Sequence, residues 1–155
     1  MKTNILKIVA IMLMLAGSFA SCGNKTNSEY FEPMEIPIME YSLDGTGCCW
    51  TNSEHGKVIV INSSKELEKY IECTDDVDYP FIDFSRFTLL LINEVAYNGV
   101  AKVSSTFFKV GDNKYSWKIT VRLITAQVAE RWHTAILVPK LTNKEIIVID
   151  IQQSH

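Results

Sequence analysis

The stretch Lys114 to Ile124 constrains the fold more than any other part of the chain. Tyr115, Trp117, Ile119, Val121 and Leu123 alternate with Ser116, Lys118, Thr120 and Arg122. A period of two puts every apolar side chain on one face of an extended strand, so one face is buried and the other is wet. Val100 to Val110 is also long and partly alternating, and Gly111-Asp112-Asn113 separates the two runs. Together, residues 100–124 predict a long antiparallel hairpin. A chain built around it must supply a second layer to cover the apolar face.

The neighbouring segments supply more strands. Phe87 to Ile92 is a continuous apolar run holding one Thr, as expected of a buried central strand. Lys57 to Ile61, Trp132 to Val138 and Ile146 to Ile151 are rich in β-branched residues. Cys48 to Thr51 reads as a short strand. Residues 34–41 hold Pro37 between apolar positions, which confines them to an edge strand or an extended lead-in. One helix is expected, from about Ser64 to Cys73. Ser63 is its N-cap, Glu66 completes a capping box, and Leu67, Tyr70 and Ile71 fall at helical spacing. The fold class expected is therefore α+β but mostly β. It is an antiparallel sandwich or partly open barrel, with one short helix capping an end and strands joined in sequence order through short turns.

The first 21 residues do not belong to that domain. Lys2 and Lys7 form a positive start, Ile8 to Ala16 an apolar run of nine, and small residues precede Cys22. This is the build of a secretory signal peptide, and the run is too short for a span of roughly 20 residues. Phe19-Ala20-Ser21-Cys22 resembles a lipoprotein processing box, with Phe19 where Leu is commoner. The resemblance implies cleavage before Cys22 and lipid on its thiol, with enough acyl chains for stable anchoring. Residues 22–33 are polar and read as a flexible tether. Residues 34–155 read as one β-rich globular domain. The expected location is the cell envelope, on the outer membrane, with the periplasmic and surface faces both open.

Composition sets limits on partners. With 47% hydrophobic and 21% charged residues, the chain is no disordered segment. Its net charge is −3, and loss of the leader's two lysines makes the domain more acidic still. That argues against nucleic acid, which needs clustered Lys and Arg.

Several groups are candidates for chemistry. Cys48, Cys49 and Cys73 form the disulfide set, with Cys73 expected to bridge to Cys48 or Cys49 in an oxidising compartment. With His55 the same cysteines offer four soft ligands, but adjacent cysteines aim badly at one ion, so no metal is expected. Asp75, Asp76, Asp78 and Asp83 lack the spacing of a calcium loop and read as a solvated turn. His133 would need a carboxylate and a nucleophile to act in catalysis, with Glu130, Asp83 and Asp75 as partners by residue type. No nucleophile elbow, zinc-helix or phosphate-loop motif accompanies it. Among the aromatics, Trp50, Trp117, Trp132, Tyr97, Phe107 and Phe108 are mostly core candidates. Tyr97, in Tyr97-Asn98-Gly99, reads as exposed, and Tyr97, Trp132 and His133 are the expected binding surface.

Leu67-Glu68-Lys69-Tyr70-Ile71, Ile82 to Leu90 and Gln127 to His133 resemble segments of Bacteroidales-type exported lipoproteins. That likeness implies a fold and a compartment but no reaction. Asp83-Phe84, Phe87 to Ile92 and Asn98-Gly99 resemble the corresponding positions of the PrcB-type accessory domain of an envelope protease complex. Val100 stands where that family has a second glycine. The resemblance implies a partner-binding role. Three functions are thus expected in order: a lipid-anchored envelope binding or accessory module, without a cofactor, contacting a protein partner; a structural envelope lipoprotein with no small ligand; and an envelope hydrolase using His133.

Overall fold

The computed structural model describes residues 31–74, 77–142 and 144–155. The expected leader at 1–21, Cys22, most of the tether, Asp75 and Asp76 lie outside the described residues. The elements in chain order are β1 (Met34–Ile36), β2 (Met39–Glu40), β3 (Cys48–Trp50), β4 (Ile59–Ile61), α1 (Ser64–Leu67), β5 (Ile71–Cys73), β6 (Phe87–Ala96), β7 (Val100–Gly111), β8 (Lys114–Leu123), β9 (Glu130–Pro139) and β10 (Ile146–Ser154). Among the described residues no helix is long and apolar enough to cross a membrane.

Two four-stranded sheets face each other, ordered β1-β7-β8-β10 and β2-β9-β6-β4, and β3 pairs with β5 in a separate ribbon. The chain is mostly β, a sandwich with one short helix. The β7–β8 hairpin forms where the alternation predicts it, and Trp117, Ile119, Val121 and Leu123 are buried between the sheets. Phe107, Leu90, Ile92, Ala96, Trp132, Ile136 and Val138 complete this inner core. Each large side chain removed from water there contributes about 1.5–3 kcal/mol.

β6 is buried on both faces. Leu90 and Ile92 point into the sandwich, while Leu89 and Leu91 point outward under a second apolar layer. Tyr41, Leu43, Ile61, Leu67, Ile71 and Ile82 form that layer. This explains the unbroken apolar run: alternation disappears when both faces are covered. Thr88 is buried within the run without loss. Its hydroxyl donates to Asn62 Oδ1 at 2.6 Å and accepts from the Leu141 N–H at 2.9 Å.

Three expectations need correction. The helix stops at Leu67, and the segment expected to continue it becomes β5. Ser63 caps as expected, its Oγ accepting from the Glu66 N–H at 3.3 Å, but Glu66 Oε2 accepts from the Asn62 N–H at 2.7 Å, one residue before the N-cap, rather than from the Ser63 N–H of a capping box. Beyond it, pairing with β3 and apolar cover over sheet β2-β9-β6-β4 outweigh local helical preference, which is weak in so short a segment. The helix also lies over the outer face of that sheet, with Leu67 against Leu89 and Leu91, rather than capping an end. Finally, β10 runs parallel to β8, with Ile146 opposite Lys114 and Ser154 opposite Arg122. β9, between them in sequence, belongs to the opposite sheet, so the chain crosses the sandwich twice and returns in its original direction.

β1 and β2 are one extended segment divided at Pro37. β1 pairs with β7 and β2 pairs with β9. The segment thereby stitches the two sheets together along one side.

Candidate functional site

The stitch covers only half of that side. β1 pairs with Phe107, Phe108 and Lys109 of β7, and β2 with Ile136 and Leu137 of β9. The Tyr41 N–H donates to the Ala135 carbonyl at 2.9 Å, and then the chain leaves. Its exit is a tight turn in which Thr46 N–H donates to the Leu43 carbonyl at 3.1 Å and Gly45 and Gly47 take positive φ. Beyond this point, among the described residues, no strand lies between Val100–Thr106 of β7 and Glu130–Thr134 of β9, and the two strands approach each other directly. Two contacts mark the seam: the Val100 N–H donates to Glu130 Oε2 at 2.7 Å, and the Ser105 and Thr134 hydroxyls lie 3.5 Å apart. Backbone groups alternate sides along a strand, so those of His133 and Arg131 share the direction of the Ala135 carbonyl. They face the open seam.

A cavity of about 470 Å³ opens beside this edge, lined by Tyr41, Asp44, Trp50, Val103, Arg131 and His133 among others. A second, of about 190 Å³, shares Trp50, Arg131 and His133 with it and reaches Ser53, His55 and Asn93. Both exist because the outer apolar layer ends early. On the outer face of β6 and β9, the pairs Leu89–Leu137 and Leu91–Ala135 are followed by Asn93–His133. The first two lie under the outer layer; the third lines the smaller cavity. His55 bridges to Asn93 from the other side, with the Gly56 N–H donating to the Asn93 carbonyl at 3.0 Å. Gly56 has φ 68°, and a Cβ there would come within 2.7 Å of Glu94 Oε1, so no other residue fits this turn easily.

Asn93 is only 4% exposed. Its Nδ2 donates to the Ser53 carbonyl at 2.9 Å and to Ser53 Oγ, while its Oδ1 has no partner. His133 is less basic than an ordinary histidine, first because partial burial disfavours its charged form, then because Arg131 and His55 lie close. Tyr41 is pushed up to about 12, by burial and then by Tyr79. Its hydroxyl donates to the Pro80 carbonyl at 2.8 Å, and its ring centroid lies 5.9 Å from that of Trp50.

The expected site residues are distributed as follows. His133 lies in the cleft. Tyr97 stands at the β6–β7 tip and is 83% exposed. Trp132 does not form surface: it is 5% exposed and its indole packs in the inner core, because its position in β9 alternates with His133. Cys48 and Cys73 are cross-strand partners joined by a disulfide, and Cys49 is a free, exposed thiol. Among the described residues, no three His, Cys, Asp or Glu side chains converge on a metal position. Of the carboxylates considered for His133, Asp83 caps its own turn by accepting from the Ser85 N–H and hydroxyl, which holds its carboxyl below the usual range. Asp83 precedes Phe87, which pairs with Pro139 at the far end of β6 from Asn93. Glu130 is engaged by Val100. Asn93 carried no signal of its own beyond being a polar residue inside an apolar strand. Trp50, His55 and Arg131 were legible only as residue types.

Compared with known proteins, the chain matches no family model, no curated protein and no solved structure.

Proposed function

We propose that this protein is a lipid-anchored cell-envelope accessory module that holds an extended segment of a partner protein in the cleft along β9, beside Arg131 and His133. The observation that carries this reading is the unpaired edge of β9 at Arg131 and His133, running beside a cavity of about 470 Å³. An extended chain lying in this cleft would gain contacts from the edge groups of Arg131 and His133 and specificity from the cavity.

The test places a photo-crosslinking residue at position 133 of the full-length protein in intact envelopes, alone and combined with Arg131→Pro or Cys22→Ala. Proline at 131 removes an edge N–H without touching the ladder to β6. A partner joined at position 133, released by Arg131→Pro in a protein that remains folded, and lost with Cys22→Ala is the expected result. Capture that ignores Arg131→Pro, or none at position 133, overturns the reading.

A further inference from the structure

We propose that the free edge of β10 pairs antiparallel with the same edge of a second copy of this chain, joining two four-stranded sheets into one about a two-fold axis normal to the sheet. This goes beyond the seam reading. β10 ends sheet β1-β7-β8-β10 at the edge opposite β1, with β8 between it and β7.

The two sheets of the sandwich have four edges, and three are blunt. β1 and β4 are three residues long and β2 is two, too short to template a partner strand. β10 runs for nine residues, without proline and with Asp150 as its one charged residue. It lacks the devices by which folded proteins blunt a long edge. The Ile146 N–H donates to the Asn113 carbonyl at 2.8 Å, so the backbone groups of Ile146, Val148, Asp150 and Gln152 serve the ladder to β8. Those of Ile147, Ile149, Ile151 and Gln153 point the other way, and among the described residues no strand meets them. The side chains tell the same story. Ile147, Ile149 and Ile151 reach the inner core but stay only half-buried, whereas Trp117 and Ile119, the β8 partners of Ile149 and Ile151, are fully buried.

The pattern of β10 selects its own copy as the occupant. Pairing all nine residues would set Asp150 against Asp150 of the second copy, and like charges directly opposite repel. Bringing Ile147 opposite Ile147 of the second copy removes that clash and still turns the free backbone groups toward each other. Asp150 then faces Lys144, and Ile146 faces Val148. Exposure alternates without a break from Lys144 to Ile151, which puts all four of these side chains on the outward face. Ile146 is 61% exposed and Val148 44%. Neither charge is used within the chain. The sole ion pair among the described residues is Lys57–Glu54, and Asp150 accepts from Gln152 Nε2 at 3.1 Å without pairing with Lys118 beside it on β8. The two-fold axis makes each contact twice, so two charge pairs and two apolar pairs form together.

The test expresses two differently tagged copies of the full chain in intact cells, both with Cys49→Ser. One carries Ile146→Cys and the other Val148→Cys, at exposed positions whose Cα atoms lie roughly 4.5 Å apart in the proposed pair. A mild oxidant should join the two tags in a dimer that a reductant separates. Copies that both carry Ile146→Cys, or both Val148→Cys, should join about fivefold less, because diagonal positions are roughly 7–8 Å apart and too far for a disulfide. Asp150→Lys in both copies should lower joining by about fivefold, and adding Lys144→Asp should restore it. That restoration separates a lost contact from a lost fold. No joined dimer, equal joining of like-substituted copies, or a loss with Asp150→Lys that Lys144→Asp leaves in place overturns the proposal.

Discussion

The two faces of sheet β2-β9-β6-β4 are covered in opposite ways. The inner face meets a second sheet made of strands of nine to twelve residues, apart from the short β1. Every buried strand side chain there follows the period of two. The outer face is covered by three-residue strands, a four-residue helix and turns, held by one disulfide. The regular cover seals its face; the irregular one ends before Asn93 and leaves the cleft. Stability and recognition are thus divided between two sides of the same sheet. A sealed face can be extended strand by strand, whereas a patchwork cover can stop wherever a pocket is needed.

The largest effect that would break this comparison lies inside the sandwich. Phe107 is fully buried and stacks on Tyr115 with centroids 5.2 Å apart. Phe107→Ala should cost about 3–5 kcal/mol, through lost burial and the cavity left behind. The loss should appear as one cooperative transition in a denaturant titration, with the outer cover unfolding at the same midpoint. An outer cover that outlasts the sandwich would mean that the supposed dependent layer stands alone.

A smaller effect should separate the faces. The Cys48–Cys73 bridge closes a sequence separation of 25 residues. In the chain-entropy model its removal costs about 3.5 kcal/mol. Cys48→Ser with Cys73→Ser should therefore speed amide exchange in β3, β5 and α1 while β7 and β8 keep their protection, because a cover of short elements opens locally before the whole domain does. Equal loss of protection in β8 would show that the outer layer and the sandwich are one cooperative unit.

The same division explains what was legible in the sequence. The β7–β8 hairpin and the central position of β6 follow from hydrophobic period alone, because a sealed face imposes it on every residue. The parallel β8–β10 pairing does not, since Ile146 to Ile151 would read the same in either direction. Ser63 and Glu66 mark where α1 starts, but its end depends on β3, a contact more than 20 residues away in sequence and invisible to local pattern. The three cysteines left Cys48 and Cys49 as rival partners of Cys73; the register that sets Cys48 opposite Cys73 decides between them. The site was the least legible part. Trp132 and His133 are neighbours in sequence yet face opposite ways, and Asn93 lines the cleft only because the outer cover ends before it, which no spacing encodes.

The smallest effect sharpens the comparison on the outer face alone. His133 binds its proton less readily in the folded protein than the ordinary value of 6.5 allows, because of partial burial and the nearby Arg131 and His55. Below that value the unfolded chain takes up a proton that the folded chain resists, so the unfolded state binds more protons. Folding stability should therefore fall as pH drops from 6.5 toward the lowered folded value, and level off beneath it. His133→Asn should flatten this part of the profile, leaving the carboxylate-driven decline at lower pH unchanged. The effect is modest, because His133 is exposed enough for solvent to screen its neighbours. Chemical denaturation of both proteins across this interval gives the check. An identical slope in the two would mean that the cleft leaves His133 fully hydrated, and that the patchwork cover opens to water at β9 more widely than the static geometry implies.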